Sequence, residues 1–377
     1  MDRTNPSVAN WRAFNDGWPW LESAEFPFFT DAWITGEITL GPYSFLNTVA
    51  ASGRGEVKRG VILRYAVHRE WEYPSFQSTD ATLYHGGSPA EELAALASLC
   101  LGVRLRAGRS TRRFQPHADP KGSPEEIGEQ VRPFFQRSEP PVLPRAAAGQ
   151  HPIDQVNLLP ALLSMGASRV NALVRAARLY QDALWLCESE PAIAWLLLVS
   201  AVEAIANEWN QERGDPVERL KFSKPDLFRT LESHFDSTLL PRIAAEFADT
   251  LGSTQKFVKF CLEHLPPAPF PRPAEWAQFP WSRTKMREAL SKIYEYRSRA
   301  LHDGRPFPAP MCSPPGTMHE WNAPAETMTS VGIHQGGSTW LKDDVPFYLH
   351  IFEYIARGAI LEWWRQEAGR STAVASG

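Results

Sequence analysis

The chain has 377 residues, 43% of them hydrophobic, enough apolar material for two domains of ordinary size. A formal net charge of −4 excludes a general nucleic-acid coat, so any polyanion site must be local. The four cysteines, Cys100, Cys187, Cys261 and Cys312, are scattered and form no CxxC pair, which argues against a disulfide framework or zinc ribbon and fits a reducing cytoplasm.

The first twenty residues lack the apolar core of a signal peptide. Residues 1–85 are rich in aromatic residues, Gly and Thr. WITGEITL, from Trp33 to Leu40, alternates, and GVILRYAV, from Gly60 to Val67, is apolar and β-branched, so both read as strands. Ser88-Pro89-Ala90-Glu91 opens a helix, with Ser88 as cap, Pro89 in the first turn and Glu91 closing a capping box. Leu93, Leu96, Ala97, Leu99 and Cys100 form its apolar face, and Gly102 ends it.

Val103-Arg104-Leu105-Arg106 then alternates like a half-buried strand, which puts both arginines on one face. Arg109, Arg112 and Arg113 follow with no acidic residue among them. Two readings fit. One is a solvated arginine-rich edge. The other is a phosphate or RNA contact through Arg104, Arg106, Arg112 and Arg113, on a domain that senses or recruits.

Five prolines between Pro133 and Pro152 exclude a helix interior or a central strand, so residues 133–152 read as an interdomain linker. The boundaries that follow are a β-rich domain with a helix at 1–132 and a helical domain at 153–377, an α+β chain overall. Asn157 to Cys187 has helical periodicity with a break near Gly166. Pro191 opens a helix that is almost wholly apolar from Ala192 to Val202, as the centre of a bundle requires. That apolar run is too short to span a bilayer, and no membrane partner is expected. Shorter helices follow around Leu227–Phe235, Leu240–Leu251 and Gln255–Leu265, then a Pro-rich break at 266–273.

Ser282 to Gly304 reads as an amphipathic helix. Leu290, Ile293, Tyr294, Ala300 and Leu301 supply the face, Ser282 the cap and Gly304 the stop. A loop at 303–345, rich in Pro, Gly, Met and Ser, separates it from a last helix at 346–368. The breadth of apolar residues there, with Trp363 and Trp364, suits either bundle packing or a dimer face.

Arg297 and His302 lie on the 282–304 helix with four residues between them. At about 100° per residue they splay by roughly 140°. Local unwinding near His302, a long reach by the arginine, or a second subunit could bring them together. Glu203 and Asn207, four apart, share one face of the apolar helix, where a carboxylate needs a partner such as Arg297 unless it points to solvent. The plainer reading pairs Arg297 with Glu203 for structure and leaves His302 as a helix-end residue favoured by the dipole. Between Arg283 and Arg305 there are seven basic and three acidic residues. Lys292, Arg299 and Arg305 could hold flanking phosphates, or form an exposed helix face. His319, His334 and Cys312 match no zinc spacing, and no P-loop, HExxH or GxSxG is present, so neither metal nor cofactor is expected.

YRSRALHDG resembles the RxxxxH motif of HEPN domains, most closely the Apea-like HEPN group. AWLLLVSAVEAIANEW, from Ala194 to Trp209, resembles the long inner helix of the same domains with its mid-helix Glu. The likeness covers roughly residues 150–370. It implies an all-α HEPN bundle and metal-independent RNA cleavage to a 2′,3′-cyclic phosphate and a 5′-hydroxyl. Arg297 and His302 would be catalytic, with Glu203, Asn207 and Ser298 supporting them. It further implies an RNA substrate, a homodimer sharing one cleft, and a place in bacterial antiviral defence or a toxin–antitoxin system, with an antitoxin or phage-derived trigger as partner. Ser298 stands where many HEPN ribonucleases carry Asn, Asp or His. A catalytically silent HEPN module binding RNA, a nucleotide or a protein is therefore the alternative. An all-α interaction protein unrelated to HEPN is the third.

Overall fold

The computed structural model describes residues 5–47, 56–69, 79, 87–125, 133, 138–146, 149–209, 216–223, 225–234, 239–318 and 323–375. The chain is α+β, an antiparallel sheet followed by a helical region. It begins with a helix that strand-type composition had hidden, α1 (Pro6–Asn15). Its start has local causes: the Asn5 side chain accepts from the Ser7 and Val8 amides, and Pro6 sits in the first turn.

Strands β1 (Glu22–Thr30), β2 (Trp33–Thr35), β3 (Ile38–Leu40), β4 (Tyr43–Leu46) and β5 (Lys58–Val67) follow. The run expected as one strand from Trp33 to Leu40 is two, because Gly36 takes φ of +83° and turns the chain. After α2 (Pro89–Leu101) come β6 (Arg106–Ala107), β7 (Arg112–Gln115) and β8 (Asp119–Pro124). The main sheet runs β3-β4-β5-β1-β7-β8, with β6 also on β1. Pro27 lies inside central β1, at the gap where the neighbour changes from β7 to β6. Its carbonyl accepts from Gly108 on that side, so its missing N–H would also have pointed into the gap and costs no rung with β5.

The described part of the Pro-rich stretch is packed rather than a free connector. Val142, Leu143 and Ala146 are buried, and β9 (Gln150–Pro152) pairs in parallel with β2. The expected boundary is thus corrected. One hydrophobic core runs from Phe28, Phe45 and Leu63 of the sheet, through Leu93 and Leu96 of α2, to Leu173, Trp195, Ile293 and Trp364 of the helices.

A 3-10 stretch, Ile153–Ser164, leads into α3 (Ala167–Leu186) and α4 (Pro191–Trp209). As a whole helix, α4 has the length and composition to cross a membrane, although its apolar run alone does not. In the fold it is the inner rod, against α3 and, later in the chain, the helices Ser253–Glu263, Arg283–His302 and Leu349–Ala375. Helices α5 (Pro216–Ser223), α6 (Pro225–His234) and α7 (Leu239–Leu251) make a satellite around Leu220, Phe228 and Ala244. Phe235, the expected end of one of these helices, lies outside the described residues. Then come α8 (Ser253–Glu263) and α9 (Arg283–His302).

The segment expected as a long loop carries structure: β10 (Thr317–Met318), β11 (Ala323–Pro324) and the hairpin of β12 (Gly332–Gln335) with β13 (Ser338–Leu341). It is pinned at two places. Glu326 is buried and accepts from Arg272 Nε at 2.9 Å, Arg272 Nη2 at 2.6 Å and the Phe279 amide at 2.8 Å. Trp195 stacks between Phe307 and Phe352 and donates to the Met311 carbonyl at 3.1 Å. The last helix, α10 (Leu349–Ala375), buries both Trp363 and Trp364. They belong to internal packing, so they are not the dimer face that their breadth had allowed.

Candidate functional site

Three helices converge on one carboxylate. Glu203 lies on α4 between buried Val202 and Ile205. Arg297 Nη2 of α9 donates to its Oε2 at 2.8 Å, and the Tyr294 hydroxyl donates to its Oε1 at 2.6 Å. The pairing expected for Glu203 is therefore present. Tyr294 and Arg297 are three apart on α9 and share a face, and the guanidinium carbon lies 5.4 Å from the centre of the Tyr294 ring. Burial, then the bond to Glu203, pushes the Tyr294 hydroxyl up to about 12, so it stays protonated and donates at neutral pH. Ser253, at the start of α8, is hydrogen-bonded to the same hydroxyl, and Phe257 packs against the ring at 5.3 Å. Lys256 of α8 reaches Asn207 at 3.5 Å. Arg297 Nε is buried and has no hydrogen-bond partner among the described residues.

The helix under this site is intact to its last residue. Ser282 caps α9 by accepting from the Lys285 amide, and Asp303 closes its other end. Unwinding at His302 therefore does not occur, and the arginine is directed to Glu203 instead of reaching round. His302 is exposed at the helix end, on the turn where a cation is favoured by the peptide dipoles. Within one chain, Arg297 and His302 do not form a compact pair. Ser298 is half-buried between them.

Carboxylates reduce the basic character expected for α9. Lys292 bonds Asp344 at 2.9 Å and the Asp343 carbonyl, Arg299 is tied to Glu295, Lys285 to Glu288, and Arg283 lies 3.7 Å from Glu263. Arg305 is exposed just beyond the helix.

Just before β6, Arg104 is not a phosphate contact. Its side chain is 2% exposed and bonds Asp31 at 2.7 Å, Glu188 at 3.1 Å and the Leu184 carbonyl at 2.7 Å. The flanking Val103 and Leu105 are buried as well, so the alternation expected there is absent. Burial pushes the neighbouring Cys187 thiol up to about 12, which keeps it neutral beside the arginine. Arg106 pairs with Asp182 at 2.7 Å and lies over Trp185, while Arg112 donates to the Lys121 and Gly122 carbonyls. Arg113 sits 3.0 Å from Glu125. The four arginines make no common patch.

All four cysteines are free thiols. Among the described residues no three His, Cys, Asp or Glu side chains gather as metal ligands would. His319 lies outside the described residues. Tyr294 was read from sequence only as part of the apolar face of α9, and Ser253 and Lys256 were not singled out. The available signal was position: Tyr294 precedes Arg297 by one helical turn. No family model matches the chain, no curated protein matches it, and no solved structure matches it.

Proposed function

We propose that the protein is a metal-independent endoribonuclease of HEPN type, working as a homodimer in the cytoplasm. The observation that carries this reading is the asymmetric setting of two residues on one unbroken helix. Arg297 is held on the bundle side by Glu203, whereas His302 stands open at the helix end. Each chain thus offers both residue types that phosphodiester cleavage needs, at positions a second copy could complete. His302 takes the proton of the attacking 2′-hydroxyl or delivers one to the leaving 5′-oxygen. Arg297 neutralises charge on the phosphorane. Glu203 keeps the guanidinium in place, and Arg305, with the less free Arg299 and Lys292, faces flanking phosphates. Its setting would be antiviral defence or a toxin–antitoxin pair, where an antitoxin or a phage-derived trigger controls it.

The test is digestion of single-stranded RNA in EDTA by wild type, Arg297→Ala and His302→Ala. Wild type should leave 2′,3′-cyclic phosphates and 5′-hydroxyls, and both variants should lose at least about a hundredfold in rate. Inhibition by EDTA, 5′-phosphate products, or full activity in either variant overturns the reading. A second reading, a silent HEPN module, is favoured by Ser298 and by the ion-paired basic residues of α9. RNA retained on a filter but left intact would decide for it.

A further inference from the structure

Arg297 has an unusual partner pattern. A guanidinium beside a carboxylate ordinarily takes both oxygens in a fork of two parallel bonds. Here Glu203 receives only Nη2, through Oε2. Its second oxygen is occupied by Tyr294 at 2.6 Å. The nitrogen that would complete the fork, Nε, is buried and has no hydrogen-bond partner among the described residues. Leaving a buried N–H unpaired is costly, and here the Tyr294 hydroxyl takes Oε1, the oxygen a fork would use. That donor is held in place. The Tyr294 hydroxyl is embedded among Glu203, Ser253 and Phe257, and its ring lies under the guanidinium it keeps from forking.

We infer that Tyr294 is the positioning residue of Arg297, acting through Glu203: by occupying Oε1 it limits the arginine to a single bond and keeps the guanidinium available to an anionic phosphate. Without the hydroxyl, Glu203 closes on Nε and Nη2 together. The arginine is then neutralised by a bidentate carboxylate and rotated into the bundle, where it serves the transition state poorly. This deepens the ribonuclease reading and rests on it for its kinetic consequence, while the geometric consequence stands apart.

The experiment compares wild type, Tyr294→Phe and the double variant Tyr294→Phe/Glu203→Gln, as full chains, on a single-stranded RNA oligonucleotide in EDTA, with a crystal structure of Tyr294→Phe. Phenylalanine keeps the ring and its packing. We expect kcat to fall about tenfold in Tyr294→Phe with KM within about twofold, because the loss falls on the transition state. We expect the crystal structure to show Glu203 bonded to both Nε and Nη2. In the double variant, a neutral amide with one acceptor oxygen cannot make that fork, so kcat should recover at least about threefold over Tyr294→Phe. An unchanged kcat, a rise in KM alone, a single bond persisting in the crystal, or a double variant slower than Tyr294→Phe would overturn the inference. If wild type does not cleave RNA, the ribonuclease reading falls, and the presence or absence of the fork still decides the role of Tyr294.

Discussion

Replacing Arg104 by methionine should be among the most damaging single changes in the fold. Methionine keeps most of the aliphatic stem, so the loss reports the charge rather than a cavity. The guanidinium joins Asp31, just after β1, to Glu188, just after α3, and the three side chains are 2%, 0% and 1% exposed. Removing the cation leaves two carboxylates buried with their counter-charge gone. Breaking one buried pair costs about 3–5 kcal/mol, and here two carboxylates lose the same partner, while the Leu184 carbonyl keeps the Cys187 thiol as a donor. The groups form one network, so the total should fall short of additivity, at about 4–6 kcal/mol. Native domains have only about 5–15 kcal/mol in hand. The assay is urea unfolding at pH 7.5, followed by far-UV dichroism and tryptophan fluorescence. The two signals should coincide in wild type, because one core spans sheet and helices. Arg104→Met should shift the midpoint without changing the slope. The triple variant Arg104→Met/Asp31→Asn/Glu188→Gln, which removes both negative charges and keeps an acceptor for the Val142 amide, should recover at least about half of the loss. A cost under about 1 kcal/mol, the range of an exposed ion pair, or a triple variant less stable than the single, would refute the argument.

Glu326→Ala should cost about 3–5 kcal/mol, since it strands the Phe279 amide and leaves Arg272 only the Phe279 carbonyl, and limited proteolysis should then cut between residues 303 and 345 faster than in wild type. Trp364→Ala should cost about 3–5 kcal/mol in the same urea assay, as a fully buried indole requires, and a dimer-face role would instead lower the association constant with stability intact. Burial lowers the His350 imidazole to about 4, so the folded state prefers it neutral. Its contribution is complete above the unfolded value near 6.5 and is lost as pH falls toward about 4, up to about 3 kcal/mol. His350→Gln should flatten the midpoint between those pH values, and an unchanged acid slope would refute this. For the homodimer, light scattering should report twice the 42.4 kDa chain mass. Excess His302→Ala chains should depress activity per wild-type chain once subunits exchange, and a fully active monomer would exclude a shared cleft.

What the sequence revealed was mostly local. The Ser88–Glu91 capping box, the Ser282 cap and the stop at Gly102 all formed as read, because each depends on residues within one turn. The Glu203–Arg297 pair was also legible, since a carboxylate on an apolar helix needs a cation. Arg104 was not. Alternation in VRLR says that a face exists but not what covers it, and its carboxylate partners lie 73 and 84 residues away. Proline content misled at 138–146 and 149–152, where the chain packs without forming a helix. It misled again at 303–345, where Gly336 and Gly337, with φ of +62° and +75°, make the two-residue turn of the β12–β13 hairpin. Asn5-Pro6, a cap followed by a first-turn proline, was a readable signal for α1 that the surrounding aromatic residues obscured. The Tyr294 hydroxyl is a tertiary feature: its neighbours come from α4 and α8, and nothing within α9 names them.

Arg357 of α10 donates to the Leu99 carbonyl at 2.8 Å and also to the Cys100 carbonyl, closing the end of α2 across 258 residues of sequence. Those carbonyls are made early and capped late. At about 5–20 residues per second, a ribosome needs roughly 13–50 s to deliver the arginine after the helix it caps. Through that interval the sheet and α2 have emerged while the last wall of their shared core is still missing. The nascent chain must therefore spend most of its synthesis with buried-type surface uncovered, which makes it a client for chaperones that hold unfinished chains. A premature stop before α10 should accordingly yield an aggregation-prone fragment rather than a stable amino-terminal domain.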